Sequence, residues 1–320
     1  MRPVNVSPSE RDGRPSSPRP ARSGDPGLET TLAAFSDRAY RDDFWPSRTY
    51  EDACDRIALR AFLPRSGGRL IEVGAGFGRL ADEYAGYREV VLLDASEALL
   101  EAARERLGDD PRFMVIEGDA FRLPFPDASF DAAVCIRVIH HFEDPAPAIR
   151  ELGRVVRPGG VLVLESANKR NLKAVAAYWL RRQAWSPFAR GSRRYAGVRV
   201  IPSAPRWAGR PRRSRRDEAA GPGSTSGTTW GAPVTYQHSP RDLRTWVRVA
   251  EFDTRETRSV GLFRAPILTR HVTPRLLVAL ERVQQVAFAP ITAGPSVFLQ
   301  AVRMPASPVA PPDGVRPREE

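Results

Sequence analysis

The chain has 320 residues, 49 basic and 38 acidic, for a formal net charge of +11. Apolar residues make up 42% and charged residues 27%, the balance of a chain that buries a core, which excludes a fully disordered protein, a collagen-like rod and a coiled coil. Two cysteines, Cys54 and Cys135, are too few for a disulfide framework or a four-sulfur zinc site and read as buried thiols of a reducing compartment. No run approaches the ~18–20 apolar residues of a membrane span, and Met1 to Gly27 lacks the apolar core of a secretory signal, so a cytoplasmic protein is expected.

The charge is unevenly spread. Residues 50–166 carry 14 basic and 21 acidic side chains, whereas 167–320 carry 27 basic and 10 acidic. The segment 169–216 alone holds 15 basic residues and no acidic one. A nucleic-acid partner, which the overall charge suggests, is therefore not expected on the acidic middle of the chain.

Residues 1–27 and the tail 305–320, rich in Pro, Ser, Arg and Gly, do not offset their ordering entropy and are expected to be disordered. Tyr50–Leu63 has a helical apolar face and stops at Pro64. Arg69–Val73 is a strand followed at once by Gly74, Gly76 and Gly78, and Arg79–Gly86 reads as a helix. Glu89–Leu93 is a second strand ending at Asp94. Ser96 caps a helix whose buried stripe is Leu99, Leu100, Ala103 and Leu107. Arg112–Ile116 and Asp131–Ile136 are further strands. Asp144-Pro145 opens a helix running to about Val156. Arg157-Pro158-Gly159-Gly160 reads as a turn and Val161–Glu165 as a fifth strand. This alternation predicts an α/β fold, a parallel sheet with helices on both faces, whose ligands bind at the carboxyl ends of the strands. Gly74, Asp94, Asp119 and Arg137 all follow strand ends.

After Asn168 the alternation stops. A helix with Leu172, Val175, Ala176, Trp179 and Leu180 comes first, then an Arg-, Pro-, Gly- and Ser-rich stretch to about Gly231. Regular structure resumes at Ser239-Pro240-Arg241-Asp242, a capped helix start, with Leu243, Trp246, Val247 and Ala250 as its apolar face. Arg255–Leu262 and Ser296–Val302 read as strands, and Leu276, Leu280, Val283 and Ala287 form a helical stripe between them.

The chemistry concentrates in Glu72-Val73-Gly74-Ala75-Gly76-Phe77-Gly78, a strand-to-helix glycine loop that lets a ligand approach the main chain. A dinucleotide loop wants a small residue at its sixth position, where this chain has Arg79. Glu72, two residues before the first glycine, suits a ligand with cationic groups. Asp94 is placed to accept both hydroxyls of a ribose, or to cap the following helix. Asp119, after Gly118, reads either as an acceptor for an adenine amino group or as a turn residue.

Four motifs in order, IEVGAGFGRL, VVLLDAS, EGDAFRLPFPDASFDAAVCIRVIHHFEDP and ELGRVVRPGGVLVLE, resemble a class I S-adenosylmethionine-dependent methyltransferase of the small-molecule group that includes quinone-biosynthesis and natural-product enzymes. The resemblance covers residues 50–166 strongly and 235–303 weakly. It implies a doubly wound, Rossmann-like, mostly parallel seven-stranded sheet with an N-terminal helical cap and an insertion after strand five. One methyltransferase domain is expected over 28–304, with a cofactor core at 50–166 and a basic insertion at 168–235. It further implies S-adenosylmethionine as cofactor, a small-molecule methyl acceptor and no metal. Glu72, Gly74, Ala75, Gly76 and Gly78 would hold the methionine end of the cofactor. Asp94 and Ala95 would bind the ribose, Asp119 and Ala120 would read the adenine, and Ile136 and Arg137 would line the junction with the acceptor.

Methyl transfer from a sulfonium needs chiefly that two atoms be held in line, with a base for some acceptors. His140 and His141 are the candidate bases; His238 reads as a loop residue at the mouth or facing solvent. Arg137 reads either as a contact to an acidic group on the acceptor or as an ion-pair partner of Glu143 or Asp144. The insertion, with Tyr178, Trp179, Trp185, Phe188, Tyr195 and Trp207 among its arginines, reads as a lid, as a peripheral membrane contact or as a solvated loop. Two other functions compete: methylation of RNA or of a lipid-like acceptor at a membrane surface, and a nucleotide-dependent oxidoreductase. Oligomeric state is not legible.

Overall fold

A computed structural model of the chain describes residues 40–181, 187–188, 193–195, 235–287 and 291–305. The two tails expected to be disordered (Pro305 apart), Trp185, Trp207 and most of the basic segment 169–216 lie outside the described residues, as does the side chain of Tyr195.

Short helical turns at Tyr40–Phe44 and Pro46–Arg48 lead into α1 (Thr49–Phe62). The chain then alternates: β1 (Gly67–Val73), β2 (Tyr87–Asp94), α2 (Glu97–Leu107), β3 (Phe113–Glu117), β4 (Phe130–Cys135), α3 (Ala146–Val155) and β5 (Val156–Ala167). α4 (Leu172–Arg181) opens the insertion, within which β6 (Arg193–Tyr195) pairs with β7 (Thr235–Gln237). α5 (Pro240–Val249), β8 (Phe252–Val260), α6 (Pro266–His271), α7 (Pro274–Ala287) and β9 (Ser296–Arg303) complete the fold.

The main sheet has seven strands in the order β3-β2-β1-β4-β5-β9-β8. β1 to β5 pair in parallel, and β9 runs antiparallel between β5 and β8. Alternation along each strand sends residues to opposite faces. Ile71, Val91, Ala133 and Leu162 pack with Ile149, Leu152, Leu243 and Val247 of α3 and α5. Leu70, Leu92, Val134 and Phe298 pack with Ala58, Leu59 and Phe62 of α1 and Leu277 of α7. The expected α/β sheet with helices on both faces is the observed fold.

Three local expectations change. Arg79–Gly86 is a turn followed by one 3-10 turn, Ala81–Tyr84, in place of a helix. Eight residues are few to recover the cost of helix nucleation. The Gly78 and Arg79 carbonyls are taken instead by the Arg106 (3.1 Å) and Arg56 (2.6 Å) guanidiniums. Arg157–Gly160 is no turn: β5 runs through it as a bulge, with Gly159 at φ +76° and a register shift opposite Phe130 and Ala132. Asp144 caps by accepting from the Ala146 N–H (3.1 Å), and Pro145 is the cap residue rather than the first helical one.

The fourth correction is α7. Its expected inward stripe faces out: Leu276, Leu280 and Val283 are 53%, 42% and 63% exposed, while Glu281 and Gln285 are fully buried. The reason lies in what α7 packs against. Glu281 accepts from the Tyr50 hydroxyl (2.7 Å), the Gly261 N–H (2.7 Å) and the Gln285 amide (3.0 Å), and that amide also donates to the Cys54 carbonyl (3.2 Å). Buried polar groups on α1 and the β8 turn require partners, and this need outweighs the gain from burying leucines. The outward-facing Trp179 and Leu180 of α4 are likewise 70% and 83% exposed.

Truncating Glu281→Ala leaves a buried hydroxyl and a buried N–H without an acceptor, which costs roughly 2–4 kcal/mol, whereas Glu281→Gln keeps an acceptor oxygen and costs less. Urea unfolding of the two variants checks this order.

Candidate functional site

The glycine loop is built on the end of β1. Gly74 is at φ +77°, and a Cβ there would stand 2.0 Å from a Val138 methyl, so only glycine fits. Its N–H and that of Ala75 both reach the Leu93 carbonyl, at 2.7 and 3.1 Å, which folds the loop over the end of β2. There the Asp94 carboxylate takes the Gly76 N–H on one oxygen (2.7 Å) and the Ser96 N–H on the other (2.9 Å). Burial raises the Asp94 pKa, and the backbone N–H groups of Ser96, Gly76 and Ala95 offset part of that rise. Asp94 thus holds both the glycine loop and the start of α2. Ser96 is the cap residue of α2, yet its side chain makes no cap bond. Each Asp94 oxygen retains acceptor capacity toward the cavity it borders.

That cavity lies at the carboxyl ends of β1, β2, β3 and β4. Of the predicted site residues, Gly74, Gly76, Asp94, Ala95, Asp119, Ala120, Arg137 and His141 border it. Val73, Leu93 and Leu99 give it an apolar wall, and Phe121 stacks against Phe142 (4.6 Å between centroids) at its rim. Asp119 accepts from the Phe121 N–H (2.9 Å), so it shapes its own turn while bordering the cavity.

Glu72, Ala75, Gly78, Ile136 and His140 are not among the bordering residues. Ile136 is buried in the core on the α1 face. Glu72 alternates with Ile71 and Val73 and so points to that same face, among Tyr84 and Arg79. It is buried, and its Oε2 has no hydrogen-bond partner among the described residues. Burial pushes its pKa up to about 8, against the opposing pull of the Tyr84 hydroxyl and the Arg79 charge. A buried carboxylate oxygen without a donor, under a glycine loop, fits a ligand that brings an ammonium group.

Arg137 has a partner that neither sequence reading names. Its guanidinium pairs with Asp55 of α1 through two bonds, at 2.8 and 3.1 Å. Its backbone is left-handed, φ +63°, and its N–H donates to Glu165 (2.8 Å). Asp55 is fully buried and also accepts from Arg79 (3.0 Å), which bonds Asp52 as well. The Trp45 ring covers both cations, 3.9 Å from Arg79 and 5.3 Å from Arg137. Asp55 and Trp45 were not singled out from sequence. The available signal was a carboxylate on the buried stripe of α1, four and seven residues before Leu59 and Phe62.

The histidines separate. His140 and His141 stack 4.2 Å apart, and burial, reinforced by His141 and Arg137, drives the His140 pKa well below the usual range, leaving it neutral. His238 is neither at the mouth nor facing solvent. It is fully buried, 3.1 Å from the Ile139 carbonyl and edge-on to Trp246, so it pins the segment after β4 to the chain leaving the insertion.

Residues 71–164 match the family described as "Methyltransferase domain". The chain is 38% identical over 133 residues to the 27-O-demethylrifamycin SV methyltransferase of Amycolatopsis mediterranei, covering 39% of this chain and 48% of that one. It is 38% identical over 111 residues to the demethylmenaquinone methyltransferase of Clavibacter sepedonicus, covering 34% and 45%. The chain therefore spans about half the length of the curated relatives it matches. In fold it resembles a Haloferax volcanii methyltransferase solved with the Trm112 activator, at a TM-score of 0.52 and 17% identity, covering 87% of this chain and 99% of that one. Sheet order, glycine loop and sequence match agree in their likeness to methyltransferase domains, over residues 71–164.

Proposed function

We propose that this chain transfers a methyl group from S-adenosylmethionine to a small organic acceptor. The observation that carries this is the cavity bordered by Gly74, Gly76, Asp94 and Asp119 at the glycine loop. Glu72 and the glycine loop would hold the amino-acid end of the cofactor, with Ala75 and Gly78 shaping the loop. Asp94 beside Ala95 would take the ribose hydroxyls, and Asp119 with the Ala120 backbone the adenine. When bound, the cofactor supplies an already activated methyl group. What remains for the protein is to align the acceptor and exclude water. The relatives' names give demethylrifamycin SV and demethylmenaquinone, which supports a small organic acceptor here. Two buried free thiols, Cys54 and Cys135, support a reducing compartment, the cytoplasm. RNA methylation and a nicotinamide-dependent activity gain no support from the site.

For acceptors that lose a proton, His141 is the proposed base, because it borders the cavity while His140 does not. A positioned base contributes about 10²–10⁴-fold. Accordingly His141→Ala is expected to lower kcat at least 100-fold without moving the affinity for S-adenosylhomocysteine, and His140→Ala to change kcat far less.

Calorimetry with S-adenosylhomocysteine tests the central reading. The wild type should bind, and Asp94→Ala should lose at least tenfold in affinity; a wild type that fails to bind refutes the proposal. Glu72 adds a pH signature. Its folded pKa of about 8 lies above the ordinary value of 4.5, so its contribution to stability is full below about pH 4.5 and is lost as pH rises through 8. Glu72→Gln should therefore melt at a higher temperature than the wild type at pH 8.5, with the gap closing toward pH 5, while binding S-adenosylhomocysteine more weakly.

A further inference from the structure

α7 turns its apolar stripe outward. Leu276, Leu280, Val283 and Val286 recur at helical spacing, and all four are exposed, as are Arg275 and Arg282 of the same helix. The polar residues that a surface helix ordinarily shows to water, Glu281, Gln284 and Gln285, are buried instead. Single exposed leucines need no explanation, but a run of them along one helix face marks a surface that is covered when the protein works.

The exposed apolar side chains do not end with α7. The loop that follows is strapped to the start of α4: the Asn168 amide donates to the Thr292 and Gly294 carbonyls, both at 2.8 Å, and the Leu172 N–H donates to the Ala293 carbonyl (2.8 Å). Ile291 and Leu172, one from each partner of this strap, are exposed, and α4 goes on to present Trp179 and Leu180. Ala167 pairs with Ser296, so the strap sits at the carboxyl end of β5, the edge of the sheet on which the cavity of Asp94 and Asp119 opens.

Charge says what covers this surface. Residues 261–303 contain five arginines and a single acid, Glu281, which is turned inward to Tyr50 and Gly261. α4 contains no acid, and residues 169–216 hold 15 basic side chains and no acidic one. A second copy of the chain would set arginines against arginines, and the stretch 182–216 of the chain itself carries the same sign, so neither complements this surface. Leucine, valine and tryptophan beside arginine and lysine, without acids, are the composition of helices that lie in the plane of a bilayer. The apolar face enters the acyl boundary, the tryptophan ring sits at headgroup level and the cations meet anionic headgroups.

We infer that the outward face of α7, continued by Leu172 and Trp179 of α4, docks on an anionic lipid surface. The contact is peripheral: among the described residues no helix is long and apolar enough to cross a membrane. The inference does not depend on the reaction catalysed.

The test is flotation of the full chain with vesicles of phosphatidylcholine alone, or of phosphatidylcholine and phosphatidylglycerol in equal parts. The wild type should bind the anionic vesicles at least tenfold more strongly than the neutral ones. Leu280→Gln/Val283→Gln should lose at least tenfold of that binding and Arg275→Gln/Arg282→Gln at least threefold, while Val249→Gln, at an exposed apolar residue of α5, keeps it. The substituted side chains are exposed, so the urea midpoints of these variants should stay with the wild type. Binding that survives Leu280→Gln/Val283→Gln undiminished places the contact elsewhere on the chain and overturns the inference. A wild type that binds neither vesicle overturns it too, and so does a solution mass that doubles with concentration in the wild type but not in that variant, which would make the face a contact between copies.

Discussion

A single carboxylate cut off from water, Asp55, joins three parts of the chain that are remote in sequence. It belongs to α1, and it holds Arg79 from the glycine loop and Arg137 from the end of β4. Taking one carboxylate and two guanidiniums out of water is expensive, and the arrangement persists because each charge meets another at hydrogen-bond distance. Trp45 closes the cluster from outside by laying its ring over both cations. The helical cap, the glycine loop and the segment carrying His140 and His141 are thereby one mechanical unit. The left-handed backbone of Arg137 is held by the same cluster and by Glu165.

The two faces of the sheet are stabilised differently. Beneath α3 and α5 an apolar cluster is buried around Ile149, Leu152, Leu243 and Val247, with the buried Lys169 paired to Asp242 at the start of α5 (3.3 Å). Beneath α1 and α7 a polar layer runs through the interior: Tyr50, Glu281 and Gln285 bond one another or the backbone, and Asp55 gathers its arginines. Polar contacts specify geometry more sharply than apolar ones, because each unmade bond carries its own cost. The polar face is the one that carries the turn after β8, which Glu281 and Tyr50 hold.

Much of the fold and part of the site were legible in the sequence, and the boundary follows physical range. The strands and the loop of Gly74, Gly76 and Asp94 were readable because their signals are local: alternation, glycine spacing, an acid at a strand end. The partner of Arg137 was not readable, because Asp55 lies 82 residues away and nearer acids at Glu143 and Asp144 satisfy the same sequence logic. The face of α7 was misread for a related reason. Its leucine stripe is stronger in sequence than Glu281 and Gln285, whose partners Tyr50 and Cys54 lie 231 residues away. His238 looked like a loop residue because nothing local reveals the Ile139 carbonyl that it meets.

The position of β9 has a consequence for how this protein comes into being. It lies between β5 and β8, so β5, paired with β4 on one side, waits for residues 296–303 to cover its other edge, and β8 waits for them as its one neighbour in the sheet. Until those residues leave the ribosome, β5 presents an open edge. The nascent chain must hold that edge unpaired for about 130 residues of synthesis, and any stop codon before β9 would leave the sheet split.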